Sequence, residues 1–285
     1  MSIYIRIKTW VNSDFFCIFL EKCWRPIDIL RVKSYNRYMV LYEHKNDFLI
    51  KYCDSDFKDE MKLSVALALM EEVACSSADE LGFGYAFVKP RGYAFMVTNV
   101  CMEFLKPIAL GETTQVKTWP LPPTRATFGR EYQFLLNGEV VINASSRWCL
   151  IDVNEGKLLQ SKVIDNQDYS TYNTNRVMEN VVWKIPGFDV SEGELRFEMV
   201  VANSEYDHNM HVNNTRYADY CLNCFTIAEL SAWRLKKFSI TYAKQCKEGD
   251  KLYFYRKPLE DGGYLVQGFN DKQETVVQSA VYFEV

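Results

Sequence analysis

The 285-residue sequence contains one pattern of residues twice, and this internal repeat limits the fold more than any other feature. Residues 55–63 align with residues 204–212, and residues 104–121 align with residues 242–259. Acidic, aromatic, aliphatic and turn-forming positions coincide in both alignments. Two copies of one structural unit are the simplest explanation, because a repeated unit buries its apolar face against its neighbour.

Each copy has the same predicted order of elements. An extended segment comes first, and a helix follows whose apolar residues, Leu63–Ala74 in copy one and Tyr217–Leu230 in copy two, occupy nearly every face. Such a helix is predicted to be buried. Strands with alternating apolar residues and turns such as Asn137-Gly138 complete each copy. This order predicts an α+β protein with a tandem hot-dog fold, in which an antiparallel sheet wraps a long helix twice.

Composition divides the chain into four predicted segments. Residues 1–38 carry seven basic and three acidic side chains and are predicted to be an N-terminal extension outside the fold. Residues 39–160 form copy one and residues 195–285 form copy two. Residues 161–194, which begin with many Asn, Ser, Thr and Asp residues, form the predicted linker.

Charge and cysteine usage exclude several classes of protein. A net charge of −4 argues against nucleic-acid binding, and no run of apolar residues is long enough for a membrane span. Nine scattered cysteines without a secretory signal indicate reduced thiols and a cytoplasmic location. Cys221 and Cys224 have no further ligands nearby, so we predict no metal and no cofactor. A monomer and a homodimer both remain open.

The candidate chemistry lies just before the helix of copy two. Asp207, Asn209 and His211 are spaced two residues apart, which places them on one side of an extended segment. They offer a carboxylate, an amide and an imidazole base. The alternative is a polar turn before a helix.

The start of the following helix adds possible hydrogen-bond donors. The backbone N–H groups of Val212, Asn213 and Asn214, with Asn213 as the helix cap, can stabilise an oxyanion. In copy one the aligned positions are Lys58, Glu60 and Lys62, which cannot do the same acid–base work. We therefore expect copy one to bind substrate and copy two to carry the reaction.

The segment from Asp207 to Tyr217 reads Asp-x-Asn-x-His-Val-Asn-Asn-x-x-Tyr and resembles the catalytic motif of acyl-acyl-carrier-protein thioesterases of plants and bacteria. The similarity runs from about residue 44 to residue 285. It includes NASSRW at Asn143–Trp148 and YAKQC at Tyr242–Cys246. The resemblance implies a tandem hot-dog fold and hydrolysis of fatty acyl-acyl-carrier protein, which ends chain elongation. An acyl carrier protein is the implied partner.

The resemblance also implies roles for single residues. Asp207 is the nucleophile or the group that orients the imidazole, Asn209 holds the thioester carbonyl or a water, and His211 activates water and protonates the leaving thiolate. Gln245 stands where the family has a catalytic Glu, and an amide can position water but cannot accept a proton at neutral pH. Cys246 is an alternative nucleophile.

Two other functions stay open at this point. An acyl-coenzyme A thioesterase shares the fold and chemistry, and a non-catalytic acyl-binding protein is compatible with Gln245. We expect the acyl tunnel to be lined by Leu67, Met70, Val73 and Ala74. A carrier protein would need a basic docking patch, for which the candidates are Arg216, Arg234, Lys236, Lys237, Lys244 and Lys247.

Overall fold

The computed structural model describes residues 9–12, 15–18, 41–164, 169–179 and 181–284. The chain divides into two units, residues 1–39 and residues 40–285. In the first unit, strands β1 (Thr9–Asn12) and β2 (Phe15–Ile18) form an antiparallel pair. Most of the predicted extension, residues 1–38, lies outside the described residues, and its exclusion from the fold stays a prediction.

In its described residues, the second unit is built on an eleven-stranded antiparallel sheet with four α-helices. Its strands are β3 (His44–Leu49), β4 (Tyr93–Phe104), β5 (Thr113–Pro120), β6 (Thr127–Leu136), β7 (Glu139–Asp152), β8 (Lys157–Leu159), β9 (Glu194–Val200), β10 (Arg234–Tyr242), β11 (Lys251–Pro258), β12 (Tyr264–Asn270) and β13 (Thr275–Glu284). Its helices are α1 (Leu63–Glu80), α2 (Tyr85–Val88), α3 (Arg216–Leu222) and α4 (Ile227–Ala232).

The strand order is the same in both halves of this sheet. It runs β3-β5-β6-β7-β4 and then β10-β13-β12-β11-β9, with β8 paired to β7. Counted outward from the central β4–β10 pair, β7 corresponds to β13, β6 to β12, β5 to β11 and β3 to β9. The predicted α+β class is confirmed, and the sequence repeat corresponds to a repeat of strands.

The two halves join where β4 pairs with β10. Met102 lies opposite Phe238 and Val100 lies opposite Ile240, and all four side chains are buried in one hydrophobic core. The Asn99 side chain also donates a hydrogen bond of 2.8 Å to the Thr241 hydroxyl across this seam. The copies therefore share one sheet and one core.

Helix α1 covers the sheet with one face only. Its buried residues recur every three or four positions and are Leu63, Ala66, Leu67, Met70, Val73, Ala74 and Ser77. Ala68, Glu72 and Cys75 on the opposite side are exposed. The expectation that this helix is buried nearly all round was wrong, because strands pack against one side of it and the other side faces solvent.

Copy two has two short helices where one long buried helix was predicted. Thr226 starts α4 with a capping box, in which its hydroxyl accepts the Glu229 N–H at 3.2 Å and its own N–H donates to the Glu229 carboxylate at 2.7 Å. Ile227, predicted to be buried, is 69% exposed. No helix in the described part of the chain is long and apolar enough to cross a membrane.

The described part of the segment between the copies packs against the sheet. The Trp119 indole donates a hydrogen bond of 3.0 Å to the Asn175 carbonyl. Arg176 forms an ion pair of 3.2 Å with the buried Glu131, and Phe188 is buried farther along. The contacts of Asn175 and Arg176 fix the linker against the first half, and Phe188 packs against Leu265 of the second half.

We predict that Phe238→Ala lowers the free energy of unfolding by about 3–5 kcal/mol, because it removes a fully buried ring at the seam between the halves. Denaturant unfolding measures this change. Ile227→Ala is the control, since an exposed side chain should alter stability by no more than about 0.5 kcal/mol. Equal effects of the two substitutions would contradict a shared core.

Candidate functional site

The segment from Asp207 to His211 is a tight turn. The Asp207 N–H donates to the His211 carbonyl at 2.8 Å, and the Met210 N–H donates to the Asp207 carbonyl at 3.1 Å. Met210 has a left-handed backbone with a φ of 61°. The prediction of an extended segment that aligns Asp207, Asn209 and His211 on one side was therefore wrong.

The Asp207 carboxylate holds this turn together. Its Oδ1 accepts the backbone N–H of Asn209 at 2.8 Å and that of His211 at 3.3 Å. An aspartate that binds the N–H groups ahead of it favours this local geometry. One carboxylate oxygen thus has a structural role, as in the alternative interpretation of a polar turn. The Asn209 side chain is exposed and that of His211 is partly exposed.

Copy one contains the same turn. The Asp56 Oδ1 accepts the N–H of Lys58 at 2.8 Å and that of Glu60 at 3.2 Å, and Asp59 has a φ of 57°. Asp56 is therefore the counterpart of Asp207.

This correspondence corrects the alignment of the repeats. Lys58 is the counterpart of Asn209 and Glu60 that of His211, so the predicted alignment was displaced by two residues. Lys58 and Glu60 form an ion pair of 3.2 Å. Copy one keeps the turn-forming aspartate and has no histidine at the position of His211.

Hydrogen bonds at the start of α3 limit the predicted oxyanion donors. The Asn213 N–H donates to the Glu205 carbonyl at 2.8 Å, so it cannot also bind an oxyanion. The prediction that Asn213 caps the helix was wrong, because α3 begins at Arg216 with Thr215 as its N-cap; the Asn213 side-chain oxygen accepts the Thr215 N–H at 2.9 Å within the turn before it. The roles of Val212 and Asn214 stay predictions.

Glu205 connects the turn to α3. Its buried carboxylate accepts a 2.8 Å hydrogen bond from Arg216 and a further one from the Tyr220 hydroxyl. The Arg216 guanidinium lowers the pKa of Glu205, so this carboxyl stays ionised. The turn is thereby fixed against the helix that follows it.

A cavity lies between α1 and the segment after the turn. From α1 it is lined by Leu67, Met70 and Glu71. Val73 and Ala74, which were also predicted to line the acyl tunnel, are buried in the core and do not line this cavity. Half of the predicted substrate-binding set thus lies on the cavity wall.

Copy two supplies Asn214, Thr215 and Tyr242 to the same cavity. The Tyr242 hydroxyl donates a 3.2 Å hydrogen bond to the Asn214 carbonyl, which fixes the wall beside the turn. Both copies therefore contribute to one binding space.

The sheet of copy one provides polar groups to this space. The Trp148 indole donates to the Ser146 hydroxyl at 2.6 Å, and the Tyr132 hydroxyl is 3.1 Å from the same oxygen. All three residues line the cavity. Ser146 and Trp148 belong to the NASSRW segment, which the sequence singled out only by resemblance.

Glu71 was missed by the sequence analysis. Its half-buried side chain lines the cavity, and burial raises the pKa of its carboxyl. The negative charge of Asp207 raises this pKa further, while His208 lowers it. The available signal was a single acidic residue four positions after Leu67, on the buried side of an apolar helix.

Gln245 and Cys246 differ in their surroundings. Gln245 is exposed and makes no hydrogen bond to the turn within the described residues. Cys246 is buried, burial raises the pKa of its thiol, and the Tyr217 hydroxyl bonds to its sulfur. A buried thiol with a raised pKa is a poor nucleophile, so these surroundings favour a packing role for Cys246.

The predicted basic patch is largely neutralised by carboxylates. Five of its six members form ion pairs, which join Arg216 to Glu205 and Asp219, Arg234 and Lys236 to Glu284, Lys237 to Glu103, and Lys244 to Glu274. The positive potential that a docking patch requires is correspondingly reduced.

Two family models match the chain. The acyl-ACP thioesterase N-terminal domain matches residues 41–166, and the acyl-ACP thioesterase C-terminal domain matches residues 191–281.

Curated relatives are chloroplastic enzymes of plants. An acyl-[acyl-carrier-protein] hydrolase of Cuphea viscosissima is 25% identical over 201 residues, which cover 62% of this chain and 48% of that protein. A palmitoyl-acyl carrier protein thioesterase of Cuphea hookeriana is 22% identical over 179 residues, which cover 55% and 43%. The chain spans about half the length of these relatives.

Solved structures share the fold over most of both chains. An acyl-ACP thioesterase from Bacteroides thetaiotaomicron gives a TM-score of 0.75 at 22% identity and covers 85% of this chain and 98% of its own. The 12:0-ACP thioesterase from Umbellularia californica gives 0.76 at 14% identity and covers 85% and 97%. The predicted tandem hot-dog fold is confirmed.

We predict that Asp207→Ala lowers the free energy of unfolding by about 1–3 kcal/mol, because two backbone N–H groups lose their acceptor. Asp207→Asn keeps an acceptor oxygen at this position and should therefore retain most of the free energy of unfolding that Asp207→Ala loses. Asp56→Ala is the matched control in copy one and should cost a similar amount. Thermal melting compares the three variants, and a full loss of stability in Asp207→Asn would contradict the turn-forming role.

Proposed function

This chain belongs to the acyl-ACP thioesterase family, and we propose that it hydrolyses the thioester between a fatty acyl chain and an acyl carrier protein. The observation that carries the proposal is the match of both domain models, one to each half of a duplicated fold. The histidine-bearing turn of copy two, beside a cavity to which both copies contribute, is consistent with it.

The reaction needs one proton acceptor and one proton donor. Water adds to the carbonyl carbon, the carbon–sulfur bond breaks, and the free acid and the carrier thiol leave. We assign His211 to acid–base work, because an imidazole exchanges protons near neutral pH. It activates the water and returns a proton to the leaving thiolate.

The other turn residues support this step. Asn209 presents an exposed amide to the thioester carbonyl or to the water. Asp207 holds the turn through one oxygen, and we propose that its charge also stabilises the imidazolium. We assign binding of the oxyanion to the backbone N–H groups of Val212 and Asn214, which have no acceptor among the described residues.

Gln245 stands where the family has a catalytic Glu, and an amide there positions water without accepting its proton. Cys246 serves in packing beside Tyr217. A protein that binds acyl chains without hydrolysis is the second candidate function, and the substitution at Gln245 is the observation that favours it.

Copy one supplies the binding surface for the acyl chain. Leu67 and Met70 are apolar, buried and on the cavity wall. We propose that they contact the acyl chain and that Val73 and Ala74, which are buried one turn farther along α1, limit its length.

The partner and location are part of the same proposal. An acyl carrier protein is the proposed partner, on the strength of the family, with coenzyme A as the alternative carrier of the acyl group. We propose a cytoplasmic location, because the described cysteines are free thiols. We also propose domain boundaries at residues 38, 160 and 194, on the basis of the sequence repeat and the composition of the segments that flank it.

We predict that His211→Ala lowers the rate of thiol release from acyl-acyl-carrier protein about 100- to 10,000-fold. Glu60→Ala, at the equivalent position of copy one, should leave this rate unchanged. Wild-type protein that binds acyl chains without releasing thiol would instead identify a carrier or sensor. Equal activity on acyl-coenzyme A, without weakening at high salt, would identify the alternative substrate.

We predict that Met70→Ala shifts the preferred acyl chain to a greater length, because a shorter side chain enlarges the cavity beside α1. Competition between acyl thioesters of different lengths measures the preference. Leu63→Ala removes a buried side chain of the same helix that does not line this cavity and should leave the preference as it was. The same shift in both variants would show that general loosening of the core is responsible.

A further inference from the structure

We propose that Glu71 is a catalytic residue of this site, whose carboxylate takes the proton from the water that attacks the thioester. This inference rests on the proposed hydrolysis and assigns to copy one a part of the reaction that was expected entirely from copy two. His211 is then left to protonate the leaving thiolate.

The position of Glu71 on α1 carries the inference. It follows Met70 directly and comes one helical turn after Leu67, so it lies on the side of α1 that lines the cavity. Asn214 and Tyr242 line the same cavity from the segments that flank the site in copy two. A carboxylate at this place lies between the apolar wall of the cavity and the turn Asp207–His211, where we place the thioester.

Glu71 is also unpaired. Several other half-buried or buried glutamates in the second unit have a cationic partner, such as Arg216 for Glu205, Arg256 for Glu229 and Lys58 for Glu60. Within the described residues, the Glu71 carboxylate has neither a hydrogen-bond donor nor an ion-pair partner. An unpaired carboxylate in a partly desolvated position destabilises a fold, and such groups are concentrated at functional sites.

Among the described residues that line the cavity, Glu71 is the carboxylate suited to this step. Gln245 cannot accept a proton, and one oxygen of Asp207 is occupied by two backbone N–H groups of its own turn. Glu71 has an unoccupied carboxylate beside the same cavity. Glu71 can thus supply the proton acceptor that is lost because Gln245 stands where the family has a catalytic Glu.

Burial and the surrounding charges bring the pKa of Glu71 closer to the pH at which the reaction runs. Burial raises its pKa most, Asp207 on the turn and Glu72 on α1 raise it further, and His208 opposes them. Tyr242 on β10 is neutral, since burial raises its pKa, and Cys75 on α1 is neutral as well, since its pKa is also raised. A base whose pKa lies nearer the working pH holds an abstracted proton more readily.

The step balances with groups of this chain and water. The water oxygen bonds to the carbonyl carbon while one of its protons passes to the Glu71 carboxylate. The carbon–sulfur bond then breaks and the thiolate takes a proton from the His211 imidazolium. Glu71 returns its proton to the imidazole through solvent, which restores both groups.

The test is Glu71→Gln, which keeps the shape of the side chain and removes its basicity. We expect kcat to fall about 100-fold with KM changed by no more than about twofold, because substrate contacts remain. In the wild type, log kcat should rise with pH up to the raised pKa of Glu71 and then level off. Glu71→Gln should lose this rise, and Glu71→Asp should recover part of the rate.

Two controls separate catalysis from structure. Glu72→Gln removes an exposed carboxylate from the next position of α1 and should keep kcat and the rise of log kcat with pH, with that rise displaced to lower pH because the Glu72 charge raises the pKa of Glu71. Folding raises the pKa of Glu71, so its charge penalises the folded state fully above the folded-state pKa and not at all below the unfolded-state pKa. At neutral pH, Glu71→Gln should therefore melt at the same temperature as the wild type or higher.

The outcomes distinguish this inference from the proposed function. If His211→Ala abolishes hydrolysis while Glu71→Gln keeps the wild-type rate and pH profile, hydrolysis stands and the role of Glu71 is overturned. A lower melting temperature in Glu71→Gln, with an unchanged pH profile, would likewise assign it to structure. If the wild type releases no thiol from any acyl-acyl-carrier protein, both proposals fail together.

Discussion

The antiparallel pairing of β4 with β10 is the constraint on which the rest of the structure depends. Val100 opposite Ile240 and Met102 opposite Phe238 turn two half-sheets into one and merge their apolar faces into a single core. Each half alone would expose a hydrogen-bonding edge and half of that core to water. The same pairing brings the helix of one copy to the turn of the other, so the cavity exists only because the halves are joined.

The turn before each helix separates a structural requirement from a chemical one. In both copies an aspartate carboxylate accepts the same two backbone N–H groups, and a residue with a positive φ follows. The backbone of the turn needs only that aspartate. The positions two and four residues later are therefore free to vary, and copy two places an amide and an imidazole there where copy one has Lys58 and Glu60.

The repeat, the α+β class and the strand-rich halves were predictable, because each follows from local periodicity and turn residues. The register of the repeat was not predictable, because Ser55-Asp56-Phe57 matches Ser204-Glu205-Tyr206 in residue type. The hydrogen bonds instead make Asp56 the counterpart of Asp207, two residues beyond Glu205. The separation of α3 from α4 had a local signal in the Thr226–Glu229 capping box. The prediction gave more weight to the apolar residues on both sides of it and joined them into one helix. Glu71 could not be predicted, because its role depends on contacts between segments more than 130 residues apart in sequence.

Duplication within one chain also explains how a single site can draw on both copies. A cleft lined by Lys58, Glu60, Lys106 and Trp233 occupies the position in copy one that corresponds to the turn of copy two. There Lys58 pairs with Glu60 at 3.2 Å and Lys106 pairs with Glu139 at 2.8 Å, so its charged groups stabilise each other. Two identical chains would have to keep the same residues in both clefts. A fused pair can hold ion pairs in one cleft and leave a carboxylate and an imidazole unpaired beside the other, which is the arrangement that acid–base chemistry requires.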